Sequence, residues 1–448
     1  MKPELAFTLF LASLSLPANA YPGFATIRGR TVPLQSYPYP PTRRSSFVGP
    51  QLERRAAAPY NPSFPYLGAR NGLPATGGGG IDVPAEGDDA HKFTAPGPND
   101  IRGPCPGMNA AANHNFISHD GIVTFSELMD AQQNVYNVGY DLAAFLAVLE
   151  VVEGGDLITQ KVSIGREATS LTAPPLLPPL GPEGGFNAHN KFEADVSITR
   201  NDYYLSPTND NFSFNGTLFK YMTDYAQQTS HGLYDRQTMM AYTAERYRQS
   251  LADNGQFFYG PKAVILIGAA TFLYELFPDH GIEGPPEFRW ISSFFGARND
   301  SSALGGFKYV PERIPDDWHN RRQPYTLPLV AAEIVAFLTA NPQYNIFGGN
   351  VGRGNFIPLN YGAIKNGKLG GDNPPTTKDV LCLLYQLATD STPTSVDGLL
   401  QKTVGQLGDG RGFLFCASVM ICMTPDSRAA LIRSSTAGSG FEASLFWA

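Results

Sequence analysis

The stretch "TFSELMDAQQNVYNVGYDLAAFLAVLEVV", residues 124–152, constrains the fold more than any other part of the chain. Leu128, Val135, Val138, Leu142, Phe145 and Leu149 recur at helical steps, which gathers them on one face of an α-helix. Thr124 and Glu127 have the spacing of a capping box, which closes the first turn. The pattern predicts one long helix over 124–152. Further helices are expected near 218–228, 236–253, 261–277, 327–340, 377–389 and 395–407. Strand signals are few and short, and no repeat is present. The expected fold is mostly α: a single helical domain with long loops.

A chain of 448 residues with 16% charged residues has room for an ample core. The net charge of −7 argues against a nucleic-acid or anionic-membrane partner. The first twenty residues read as a signal peptide: Lys2, an apolar run from Ala6 to Leu16, then the small-residue site Ala18-Asn19-Ala20. A mature chain beginning near Tyr21 would be secreted, and no later segment is apolar enough to span a membrane. Sequons at Asn211, Asn215 and Asn299 fit that route. Residues 21–90 are rich in Pro, Gly and Arg and lack periodicity, so a flexible arm or pro-segment is expected there. Arg43-Arg44 and Arg54-Arg55 are candidate processing sites. The folded domain is expected over 91–448.

Cysteines stand at 105, 382, 416 and 422. The last three lie in apolar runs, as buried thiols or with a Cys416–Cys422 bridge. Cys105 is different, because prolines flank it in "GPCPGMNAAANHNFISHDG". Proline fixes φ and removes a donor, so the loop is stiff and the sulfur is held in place. The amides of Gly107 and Met108 are free to point back at it. A helix starting near Met108 or Asn109 would put the sulfur at its positive end, where thiolate is favoured. Four readings follow: a buried structural thiol, a nucleophile with His114, His119 or a residue from elsewhere as base, a zinc ligand, and a haem thiolate. Zinc is poorly served, since no second Cys or His lies two to four residues away.

The block "HKFTAPGPNDIRGPCPGMNAAANHNFISHDG", residues 91–121, resembles the signature of the fungal haem-thiolate peroxidases, the chloroperoxidase and unspecific peroxygenase family. Pro104, Cys105, Pro106, Asn109, Ala112, Asn113, His114, Asp120 and Gly121 carry the likeness. The resemblance implies a helical domain around haem b, with Cys105 as axial iron ligand. A second block, "NAHNKFEADVSITRND" at 187–202, is similar to the family's cation-binding motif. It implies Mg²⁺ or Mn²⁺ held by the Glu193 carboxylate, the Ala194 backbone oxygen and the Ser197 hydroxyl. The alternative is that Glu193 and Asp195 are solvated loop charges. "PDDWHNRRQPYTL" at 315–327 is also family-like, with no role attached. The likeness is clearest over 91–340.

The resemblance implies peroxide-dependent oxidation of small apolar organic substrates, by oxygenation, halogenation or one-electron chemistry. That chemistry needs a carboxylate to shuttle a proton across the peroxide. The peroxygenase branch carries a Glu seven residues after an Arg, two turns along one helix face. Here those positions fall on Lys262 and Ala269. Lys262 is then the candidate polar group, and the acid position is filled by a methyl. Glu275 should face elsewhere. The chloroperoxidase branch's His partner is replaced by Ala194. The alternative is a haem-thiolate protein with weak peroxide chemistry and another role in secondary metabolism, or a secreted protein without haem.

Overall fold

The structure, a computed structural model, describes residues 55–175, 182–277 and 284–390. Ten α-helices occur among them: α1 (Pro106–Asn113), α2 (Phe125–Tyr136), α3 (Tyr140–Gly154), α4 (Thr169–Thr172), α5 (Gly216–Ser230), α6 (Arg236–Asp253), α7 (Ala263–Leu276), α8 (Phe288–Phe294), α9 (Leu327–Ala340) and α10 (Thr377–Asp390). The strands are two or three residues long. They pair only as small antiparallel sheets, for example β1 (Ile122–Thr124) on β2 (Lys161–Ser163), with Ile122 opposite Ser163. The mostly α expectation holds. The expected helix at 395–407 lies outside the described residues, as do Cys416 and Cys422.

The expected helix over 124–152 is in fact two, α2 and α3. Thr124 and Glu127 do form the reciprocal capping box that starts α2. The chain leaves the helix at Asn137, whose φ of 53° is left-handed, a conformation Asn tolerates better than most residues. The Asn137 amide donates to the Arg321 carbonyl at 2.8 Å. Gly139 then caps α3, and its N–H donates to the Tyr325 carbonyl at 2.8 Å. The apolar stripe continues across the break because both helices bury the same side, with α3 packed on α2.

Helix α5 packs on α6, and α9 packs on both α7 and α10. Helix α7 is apolar nearly all round, as a helix enclosed by others should be. One contiguous core joins these elements, with Leu128, Leu142, Val264 and Ile334 all buried.

Residues 55–90 do not behave as the flexible arm expected of them. Leu67 and Val83 are buried. Ala69 exchanges two hydrogen bonds with the Asn134 side chain, at 3.0 and 2.8 Å. Asn320 accepts from the Gly80 and Ile81 amides at 2.9 and 3.2 Å. Side chains of distant residues satisfy this backbone, so no periodicity announces it. Cys382 is disulfide-bonded rather than a free thiol. Among the described residues, no helix is long and apolar enough to cross a membrane.

Candidate active site

Cys105 is the N-cap of α1, and Pro106 takes the first helical position, where its missing N–H costs nothing. The thiol is free. The helix begins at Pro106, two to three residues earlier than expected, which brings the sulfur onto its N-terminus. Burial pushes the thiol up to about 11, and Glu150 adds to the rise. Hydrogen bonds from the Met108 and Gly107 amides, and the charge of Arg200, pull the other way.

The loop is braced from several directions. Asn109 bridges Gly103, accepting from its N–H at 3.0 Å and donating to its carbonyl at 2.8 Å. A Cβ on Gly103 would sit 1.9 Å from the Ile164 carbonyl oxygen, so the close approach requires glycine. Arg200 donates to the Pro104 carbonyl at 3.0 Å, and the Tyr136 hydroxyl donates to Gly107 at 2.6 Å. Buried Glu312 accepts from the Asn109 amide at 2.9 Å.

Neither histidine of the block can serve Cys105 as a base. His114 donates from Nδ1 to the His91 carbonyl at 2.8 Å and accepts the Ile314 N–H on Nε2 at 3.2 Å. Burial drives its pKa down to about 4. His119 donates from Nδ1 to Asn115 at 2.9 Å. Neither lines the cavity that Cys105 faces. The nucleophile reading therefore loses the two bases that this block offers.

That cavity has a volume of about 220 Å³. Its wall is mostly apolar: Phe145, Leu146 and Leu149 from α3, Ile265, Leu266, Ala269 and Phe272 from α7, with Phe186 and Phe192. Arg200, Glu150 and Glu193 supply charge. Each keeps one buried polar atom without a partner: Arg200 Nη1, Glu150 Oε2 and Glu193 Oε1. A free sulfur, an apolar slot and an unpaired guanidinium N–H suit a flat apolar macrocycle with anionic tails, so the residues present fit haem.

The second block is buried, which removes the reading of solvated loop charges. Glu193 is 8% exposed and Asp195 is 0%. Burial pushes Glu193 up to about 7, against a hydrogen bond from Ser197. Asp195 accepts from the Phe258 N–H at 3.0 Å and from Asn254 at 3.1 Å, so it fastens the loop. Glu193 and Ser197 face the cavity, while Ala194, whose backbone oxygen was expected beside them, is buried. Among the described residues no cluster of three or more His, Cys, Asp or Glu is arranged for a metal; the expected ligands, Glu193, Ala194 and Ser197, are one carboxylate and two neutral oxygens.

Lys262 stands outside the cavity wall. Its ammonium meets Glu153 at 2.6 Å, just before α7 begins. Ala269 does face the cavity. Glu275 turns away and pairs with Arg321. Two residues escaped the sequence reading. Glu312 had no local signal. Glu150 had one, as a lone acid within the apolar run "AFLAVLEVV".

Residues 91–323 match the family described as Peroxidase, family 2. The chain belongs to this family. It is 32% identical over 302 residues to the dothistromin biosynthesis peroxidase of Dothistroma septosporum, covering 66% of this chain and 71% of that protein. It is 33% identical over 256 residues to the aromatic peroxygenase of Coprinellus radians, covering 54% and 90%. Against the chloroperoxidase of Leptoxyphium fumago it is 27% identical over 344 residues, covering 70% and 82%. The protein is thus an oxidoreductase of the haem-thiolate peroxidase family, whose reactants are peroxide and organic compounds.

Proposed function

We propose that this protein is a secreted haem-thiolate peroxygenase or peroxidase that uses hydrogen peroxide to oxidise small apolar organic compounds, with Cys105 as axial ligand to haem b. The observation that carries the reading is the free Cys105 sulfur at a helix N-terminus, facing an apolar cavity and bonded by two amides. A coordinating metal deprotonates a thiol outright, which offsets the upward push of burial. Haem, when bound, supplies the oxidising chemistry, with thiolate electron density favouring O–O cleavage.

The chain's own residues do the rest. The Met108 and Gly107 amides stabilise negative charge on sulfur. Arg200 offers Nη1 to a haem propionate. Phe145, Phe272 and their neighbours keep water out and hold an apolar substrate by shape. Glu193, Ala194 and Ser197 form the proposed Mg²⁺ or Mn²⁺ site, since hard oxygen donors suit those ions. Secretion is supported by the leader at 1–20 and by the disulfide at Cys382, at home in an oxidising compartment. Of the three sequons only Asn299 is exposed as an acceptor. Asn211 is buried, and Asn215 caps α5.

A second reading, a tailoring role in secondary metabolism, draws on the dothistromin-pathway relative and on the methyl at position 269. The test is Cys105→Ala. It should lose haem retention while keeping the helical circular dichroism of the parent. A fully haem-loaded Cys105→Ala protein would remove Cys105 as ligand.

A further inference from the structure

Glu150 lies on α3 with Phe145, Leu146 and Leu149, all lining the cavity that Cys105 faces. It is 9% exposed, and its Oε2 has no hydrogen-bond partner. A buried, unpaired carboxyl is costly, and such a group in a cleft is a candidate for chemistry. The cavity wall, among the described residues, holds two carboxylates, Glu150 and Glu193. Ser197 holds Glu193. One turn beyond Glu150, Glu153 is taken by Lys262 at 2.6 Å and Lys191 at 3.3 Å. Position 269 on the facing helix α7 is Ala. Glu150 is thus the carboxyl left free to act inside the cavity.

We propose that Glu150 is the acid–base residue of this enzyme, moved from α7 to α3. This rests on the haem-peroxidase reading above. Its carboxylate takes the proton from one peroxide oxygen and returns it to the other. The O–O bond breaks, and the protonated oxygen leaves as water with the bonding pair. The remaining oxygen atom is the one an organic substrate receives, so peroxide and substrate give water and hydroxylated product. Burial pushes the Glu150 pKa up to about 8. Cys105, Arg200 and Glu193 line the same cavity, with Cys105 near enough to feel the Glu150 charge, and Glu153 with its two lysines lies one turn away. The base form gains with rising pH, so turnover should climb toward pH 8 and level off above it.

The test compares wild type with Glu150→Gln, both haem-loaded. The variant should keep the wild-type absorbance of its reduced carbon monoxide complex. Its kcat/KM for peroxide should fall by about 10²–10⁴-fold, and the alkaline climb should vanish. Cyanide binding gives a readout apart from turnover: entry of this weak acid needs a proton acceptor, so its pH dependence should lose the same ionisation. Adding Ala269→Glu to Glu150→Gln should restore part of the rate. If Glu150→Gln folds poorly, Glu150→Leu carries the same comparison, because its side chain suits the apolar wall and removes the carboxyl. A haem-loaded Glu150→Gln with wild-type rate and pH profile would overturn the assignment. So would a shifted carbon monoxide band, which would make Glu150 a modulator of the thiolate. Failure of the wild type to bind haem would instead sink the parent reading.

Discussion

Glu312 reaches Asn109 from 203 residues away and also accepts from the Tyr309 hydroxyl at 2.7 Å. Asn109 in turn ties Gly103, so this carboxyl holds the start of the cysteine loop. Glu312→Ala would strand the buried Asn109 amide and release the exposed Tyr309 to water, and unfolding in urea should show a loss of about 1–3 kcal/mol. Glu312→Gln keeps an acceptor for Asn109 and should lose about 1 kcal/mol or less. Equal losses in both variants would show that the carboxylate charge, which both remove, supports the loop rather than the acceptor for Asn109. At this scale the sequence showed Cys105 well, because prolines, glycine and helix start are all local to it. Glu312 was invisible, since its partners are remote. Glu150 was visible as the one acid within the apolar run "AFLAVLEVV" of α3, yet the other residues that line its cavity come from α7 and the Glu193 loop, which the sequence alone does not bring together.

Helices α2 and α3 show how a correct period can still mislead. The apolar steps run straight through Asn137 because both helices face one core. The break was written in Asn137 and Gly139, residues of helix ends, and tertiary hydrogen bonds to Arg321 and Tyr325 make it firm. Asn137→Ala should cost about 2 kcal/mol, from a left-handed φ without Asn's tolerance and from the lost amide bonds. Asn137→Gly keeps the backbone and should cost about half as much. An Asn137→Ala protein as stable as wild type would mean the turn is held by the backbone alone. The break matters for the site, because it sets where α3 starts and so where Phe145, Leu149 and Glu150 meet the cavity. Helix α7 was placed more easily: its length and apolar content identify it, and Ile265, Leu266, Ala269 and Phe272 share one face by periodicity.

Across the whole molecule, the helical elements, the stiff cysteine loop and the buried Glu193 block converge on one largely apolar cavity. The mostly α architecture was legible because helical periods are local. The packing of residues 55–90 was not, because Asn134, Gln133 and Asn320 satisfy that backbone from elsewhere in the chain. The proposed function rests on haem held in this cavity through the sulfur of Cys105. The most direct measurement is the absorbance spectrum of the purified protein, reduced and exposed to carbon monoxide. A strongly red-shifted Soret band is the predicted result, since only thiolate ligation gives it. A Soret band at the ordinary haem–carbon monoxide position, or none after haem is supplied, would rule out Cys105 as the haem ligand.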